Sequence, residues 1–406
     1  MRRFALMVIL QTAVVVAAGA AQAQQPPALT FDAAVGQALA ANKAIAAARL
    51  TRPVDQAAIG VAREHPNPEV SFESNRDAPR QTLTGSFPIE MGGKLQSRVN
   101  VATAAAATGE AEVDRVIAGI KNEVRRAYFA VVAADRRAAL ADELQTLMGR
   151  ARDTVQARFQ AGDVAQIEVV AAEMDFEDAA GQVTATRGEA AAVRAELNTL
   201  LGRPPGSPLT LADDFASTPL PPAAGVLAQA QAEHAGLRLL DRQMAEQTAR
   251  RDLAKSMQTP DITIGAGLLM NASPDFNFGW RGALTMTVPV FTQHKAGVAV
   301  EEAALARLRA GREAVIADMA GGVAAALARA SSARDQFDAF QARILPRAID
   351  LQQKAEDAYR SGQTSIGPYL LALQQARAVR ARGLDAGLAY QLALADLERA
   401  IGASIK

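Results

Sequence analysis

Hydrophobic and polar residues alternate with a period of two in four stretches of the chain. The longest is Phe276–Val290, FNFGWRGALTMTVPV. Its even positions run Phe276, Phe278, Trp280, Gly282, Leu284, Met286, Val288 and Val290, all apolar or small. Its odd positions are mostly polar or small, so the two sets face opposite sides of a strand. About 10 residues of such alternation, with aromatics near one end, is the pattern of a membrane-spanning β-strand. Asp261–Met270 alternates in the same way, and Asn271–Asp275 supplies a turn between the two. Earlier in the chain Glu69–Asn75 and Gln81–Ile89 alternate around the turn Asp77-Ala78-Pro79. The pattern predicts two β-hairpins.

Nearly everything else reads as helix. Thr30–Arg63 is helical, capped by Thr30 or Asp32 and stopped at His65-Pro66-Asn67-Pro68. From Lys94 to about Gln160 only scattered glycines interrupt good helix formers, which predicts roughly 100 Å of helix. Met148-Gly149 is a candidate weak point. A turn at Ala161-Gly162-Asp163 leads into Gln166–Leu201. Gly206–Ala224, rich in proline, is a connector with room for a short helix. Gly225–Met257 is helical again. Ala296–Arg360 is a second long helix broken at Pro346, and Ile366–Ile401 returns after Ser361-Gly362-Gln363.

This order is a duplication. Phe159, Gly162, Leu197, Leu201 and Gly202 recur as Tyr359, Gly362, Leu397, Ile401 and Gly402, 200 residues later. Phe87-Pro88-Ile89 and Lys94 recur as Val288-Pro289-Val290 and Lys295 at an offset of 201. Each unit is helix, hairpin, long helix, turn and helix. The expected boundaries are a leader at 1–23, then 24–65, 66–92 and 93–202 for the first unit. A connector at 203–224 follows, then 225–258, 259–292 and 293–402 for the second.

Four strands cannot close a barrel, and an open sheet edge cannot face lipid. Membrane-spanning strands therefore require several chains to share one barrel. Thin alanine-rich helices also need neighbours on both sides, which a closed ring supplies.

Composition narrows the chemistry. Lysine plus arginine and aspartate plus glutamate each number 43, so there is no basic footprint for nucleic acid. There is no cysteine, which excludes a thiolate metal site and a cysteine nucleophile. Arg2 and Arg3, the apolar run Phe4–Val16 and Ala21-Gln22-Ala23 form a secretory leader cleaved before Gln24. No other stretch is expected to span a bilayer as a helix. Gly92-Gly93-Lys94 lacks the glycine and hydroxyl residue of a phosphate loop, because Pro88 and Leu95 stand there. Gly265-Ala266-Gly267 lies in a strand pattern and is no dinucleotide fingerprint. His65, His234 and His294 have no partners at metal-ligand spacing, and no serine has a nucleophile-elbow context. The chain does not read as an enzyme, and no cofactor is expected.

The element order, the duplication and the turns ARFQAGDVAQIEVVAAE and AYRSGQTSIGPYLLALQQAR resemble TolC-like outer-membrane efflux proteins. Glu90-Met91-Gly92-Gly93-Lys94 resembles the segment typical of that family's heavy-metal-cation, CzcC-like branch. The resemblance implies a mainly α chain with four transmembrane strands. It implies a homotrimer with a shared twelve-stranded barrel in outer-membrane lipid and a periplasmic helical tunnel. The implied partners are a periplasmic adaptor and an inner-membrane pump of the RND type, and the cargo passes through passively. The adaptor would dock on tips formed by Phe159, Gly162, Tyr359, Gly362 and Gln363. In relatives, acids after the second turn ring the closed entrance, but here the matching positions are Pro368 and Leu371. Asp163, Glu168 and Glu173 of the first unit are the candidate pore-entrance acids. Ile264, Trp280, Leu284 and Met286 are expected to face lipid, with Thr263 and Thr285 on the lumen side. The competing reading is a periplasmic coiled-coil adaptor that does not span the membrane.

Overall fold

The computed structural model describes residues 28–405, so the expected leader lies outside the described residues. The chain begins with three helices, α1 (Phe31–Ala41), α2 (Lys43–Arg49) and α3 (Thr51–Ala62), where one was expected. Thr30 is the cap of α1, its side chain accepting from the Ala33 N–H. Asn42 then ends α1 and caps α2, its Oδ1 accepting from the Ala44 and Ile45 N–H groups. Pro53 in the first turn of α3 has no N–H to carry a helix through from α2.

Strands β1 (Glu69–Ser74) and β2 (Gln81–Ile89) form the first hairpin. Helix α4 (Lys94–Gln160) follows, 67 residues that run through Met148-Gly149 without a break. Leu144, Met148 and Ala151 are buried against the neighbouring helices, and that packing holds the helix through the glycine. Helix α5 (Gln166–Leu200) runs back along it. The connector holds no helix before Ala223; Leu211 bridges Leu29, bringing it against the start of the chain. The second unit opens as α6 (Ala223–Glu233) and α7 (Ala235–Ser256), again two helices where one was expected. The reason repeats as well. An added Cβ at Gly402 would lie 2.6 Å from His234 Cα, and one at Gly202 would lie 2.5 Å from the Ala41 carbonyl oxygen. Each unit thus ends in a left-handed glycine wedged against the bend in its own opening helices.

Strands β3 (Ile262–Ala272) and β4 (Phe276–Met286) complete one antiparallel sheet in the order β1-β2-β3-β4. The expected strand to Val290 stops four residues early, because Ile262, the first residue of β3, pairs with Met286 and leaves Thr287–Val290 no partner. Helix α8 (Lys295–Ala339) then passes through a π-turn, Phe340–Ile344, into α9 (Leu345–Arg360). Pro346 cannot donate to the preceding turn, and the wide turn absorbs the mismatch. Helix α10 (Ile366–Ile401) ends at Gly402. By composition, the continuous helix from Lys295 to Arg360 does hold an 18-residue window apolar enough for a bilayer, contrary to the expectation for the chain beyond its leader. Four of its side chains, Met319, Val323, Ala326 and Ala330, are buried in a core shared with α6, α7 and α10.

The middle of the molecule is held by aromatic rings. Phe31, Tyr128, Phe129, Phe215, Phe337 and Tyr390 follow one another at centroid distances of 5.8, 5.3, 6.2, 6.4 and 6.0 Å. Two tyrosines pin the connector. Tyr128 Oη accepts from the Asp213 N–H at 3.3 Å while donating to the Leu29 carbonyl at 2.8 Å, and Tyr390 Oη donates to the Thr218 carbonyl at 2.8 Å. Burial pushes the Tyr128 hydroxyl up to about 12, so it stays a neutral donor. Beside this cluster Arg125 meets Glu398 at 2.9 Å, both largely buried, tying α4 to α10.

Candidate functional site

The sheet has one continuous apolar face. Register places Phe72, Leu83, Leu268 and Trp280 side by side across the four strands. Val70, Gly85, Ala266 and Gly282 form the next row, Phe87, Ile264 and Leu284 the one after it, and Ile262 pairs with Met286. These side chains are exposed rather than covered: Trp280 is 80% exposed, Leu284 73%, Met286 52% and Ile264 51%. The opposite face carries Thr82, Thr84, Thr263, Gly265, Gly267 and Thr285. Arg281 sits opposite Gly267 on that face and reaches across it, with a guanidinium nitrogen 3.4 Å from Thr84 Oγ1. An apolar face turned outward and a small, polar face behind it is the inverse of a soluble sheet packed on a core. The outer edges of β1 and β4 pair with nothing among the described residues.

The Glu90–Lys94 segment joins this sheet to the helices. Lys94 is buried, and its Nζ lies 2.8 Å from the Asp261 carboxylate at the foot of β3. The same carboxylate accepts from the Met91 N–H at 2.9 Å. Glu90 forms a two-pronged pair with Arg98, which also donates to the Glu64 carbonyl at 3.0 Å. The segment clasps the two units together where strands become helices. Its sequence signal was the family motif, and its structural partner, Asp261, carried no local signal.

At the far end, about 100 Å away along α4, the two turns lie side by side. Val155 and Val169 of the first hairpin share one core with Ile366, Tyr369 and Leu373 of the second. Both turns close identically. The Gly162 N–H donates to the Phe159 carbonyl at 2.9 Å and the Asp163 N–H to the Arg158 carbonyl at 2.9 Å. Gly362 donates to Tyr359 at 3.1 Å and Gln363 to Ala358 at 2.9 Å. This doubled bond is the Schellman cap, and it needs the left-handed glycine, here at φ 83° and 72°.

The side chains around the caps differ. Phe159 is exposed, whereas the Tyr359 ring stacks on Tyr369 at 4.8 Å with its hydroxyl buried and unpaired. Tyr359, Gly362 and Tyr369 line a cleft of about 490 Å³ against Arg150 and Thr154 of α4. Asp163 and Glu173 are exposed and Glu168 half-buried, all three on the first hairpin, while Pro368 and Leu371 occupy the second. Asp175 and Asp178 stand further along α5, three residues apart. Burial and then the charge of Asp178 push the Asp175 carboxyl above its ordinary value. That spacing puts both on one helix face.

The family model described as "Outer membrane efflux protein" matches residues 34–203 and again 226–403, one copy on each unit. The chain is 25% identical over 271 residues to the cobalt-zinc-cadmium resistance protein CzcC of Cupriavidus metallidurans. That alignment covers 66% of this chain and 64% of the relative, a little under two thirds of its length. Among solved structures the fold matches CusC with a TM-score of 0.72 at 20% identity, covering 92% of each chain. It matches the open state of the MtrE outer membrane channel of Neisseria gonorrhoeae with a TM-score of 0.72 at 18% identity, covering 93% of this chain and 89% of that one. These matches set aside the adaptor reading. A family model that covers both units, on a fold that pairs an outward-apolar sheet with long helical hairpins, makes this chain a member of the outer membrane efflux protein family.

Proposed function

We propose that the protein is the outer-membrane channel of a tripartite efflux system and works as a homotrimer. Its four strands contribute one third of a twelve-stranded barrel, and its helices form a tunnel through the periplasm. The observation that carries this reading is the sheet. Its exposed apolar face fits lipid, with Ile264, Trp280, Leu284 and Met286 outward and Thr263 and Thr285 inward, and its two free edges call for neighbours. The protein is a passive conduit without catalytic chemistry. Phe159, Gly162, Tyr359, Gly362 and Gln363 present the tips to a periplasmic adaptor, which connects the tunnel to an inner-membrane RND-type pump. Asp163, Glu168 and Glu173 lie at the same end, where a cation would enter. The likeness to CzcC favours divalent metal cations as cargo.

The test is a deletion strain carrying the partner pump and adaptor. Restoring the gene should lower cellular cobalt, zinc or cadmium and restore growth on those ions. A Gln363→Ala, Phe159→Ala, Tyr359→Ala variant should reach the outer membrane at normal abundance and fail to export. Normal export from this variant would remove docking from the tips. Complementation of organic-compound resistance but not metal resistance would overturn the cargo.

A further inference from the structure

The two units meet along a seam inside the chain, and the same seam has an unoccupied counterpart. Inside the chain β2 of the first unit pairs with β3 of the second, with Phe87 opposite Ile264 and Ile89 opposite Ile262. The clasp below that pair is Lys94 on Asp261. The duplication maps each of these residues. Phe87, Ile89 and Lys94 become Val288, Val290 and Lys295 at the offset of 201. Hairpin register maps the other side. Met286 pairs with Ile262, its counterpart Gly85 pairs with Val70, and so Ile262 corresponds to Val70 and Asp261 to Glu69. An acid therefore stands at the foot of the first strand in both units.

The second unit is ready for the same contact and lacks it within the chain. Lys94 is 6% exposed, whereas Lys295 is exposed and makes no ion pair among the described residues. Glu69 is exposed and likewise unpaired among them. The helix starts already share a backbone turn, with Gly93 at φ 71° and His294 at φ 53°. Val288 and Val290 are 61% and 62% exposed, and on the other side Val70 and Phe72 are 75% and 61% exposed. The helices repeat the pattern. Helix α10 of the second unit packs on α4 of the first, while the outer face of α5 leaves Ile167 and Met174 exposed.

We infer that the occupant of this second seam is another copy of this chain, in one register: Val288 opposite Phe72, Val290 opposite Val70, and Lys295 paired with Glu69 of the next copy. The pairing extends β4 through Val290, with Met286 opposite Ser74. Apolar meets apolar on the outer face, as in β2 against β3, and a positive charge meets a negative one at the foot. Thr292, the counterpart of Met91, would give its N–H to the Glu69 carboxylate as Met91 does to Asp261. The inference rests on the oligomeric channel proposed above and adds its register and its clasp.

The absence of native cysteine makes the test clean. The full chain carrying Glu69→Cys and Lys295→Cys is expressed in outer membranes and treated with a short bis-maleimide. Covalent dimers and trimers are expected on denaturing gels, and neither single variant should give more than dimers. A Glu73→Cys, Lys295→Cys pair lies ~13 Å away along the strand and should give about tenfold less product. As a second measurement, Lys295→Glu should lower the dissociation temperature of the oligomer, and Glu69→Lys in the same chain should restore it. Trimers of normal mass that crosslink at Glu73 rather than Glu69, or that the charge exchange does not restore, would overturn the register and leave the channel standing. A monomer by native mass measurement would overturn both.

Discussion

The two units are built from one pattern, yet counterpart positions are buried in one unit and open in the other. Lys94 lies inside an ion pair, and Lys295, at the matching position, faces outward. Leu370 on α10 is buried, and its counterpart Val170 on α5 is 43% exposed. The sequence pattern alone does not produce the difference. In the proposed ring a strand edge or helix face is covered only by the next unit, and one chain holds just one of the two kinds of seam. In the proposed channel, exposure in the isolated chain marks interfaces as well as solvent and lipid surfaces.

The largest expected effect comes from breaking the seam that the chain keeps to itself. Glu398→Ala leaves the Arg125 charge buried without its partner and should cost about 3–5 kcal/mol. The counterpart of Glu398 in the first unit is Asn198, so no equivalent ion pair exists there to be lost. Denaturant unfolding of the purified protein measures this. If Glu398→Ala unfolds with the wild-type midpoint, the inner seam does not depend on that pair.

The outer face should treat the units alike. Leu83 and Leu284 are counterparts, 37% and 73% exposed, because β2 has a strand on each side and β4 has only one in the isolated chain. Arginine at either site near mid-bilayer should cost about 2–4 kcal/mol of barrel stability, and Thr285→Arg much less. Barrel assembly into lipid vesicles gives the readout. Equal assembly of Leu284→Arg and Thr285→Arg would reverse the assignment of faces.

At the tips the comparison is finer. Gly162→Ala and Gly362→Ala each meet open space but must hold a positive φ, so each should cost about 1 kcal/mol. Equal shifts in local hydrogen exchange at the two turns would show that the caps are equivalent although Phe159 and Tyr359 are not. The smallest effect concerns Asp175, whose counterpart is Gln375. Its carboxyl is raised by burial and by Asp178, so the folded protein holds that proton more tightly than the unfolded chain. The stability this contributes is complete below the ordinary aspartate value and is lost as pH rises through the raised one. Asp175→Asn should therefore stabilise slightly near neutral pH, the gain reduced by solvent screening at this partly exposed site, and by nothing in acid. A gain that persists in acid would point to packing instead of charge.

Much of this architecture was legible in the chain. Alternation in Gln81–Ile89 and Asp261–Met270 carries the strand faces, because side-chain direction in a strand follows parity alone. The turns at Gly162 and Gly362 were legible for a similar reason, since a left-handed residue admits glycine far more readily than any other. The bends at Asn42 and His234 were not. Alanine-rich sequence is compatible with unbroken helix through both, and it is the close approach of Gly202 and Gly402, distant in sequence, that fits against them. The role of the connector was equally hidden, because Phe215 and Asp213 acquire meaning only when Tyr128 and Tyr390 arrive beside them.

By itself, then, the sequence determined periodicity, duplication and the shared cap geometry, each a matter of local sterics or of counting residues. Tertiary structure alone decided which lysine is buried, which carboxylate clasps it and where β4 stops. Those outcomes depend on what lies across a seam, and a neighbour far away in sequence leaves no trace in the local pattern of polar and apolar positions.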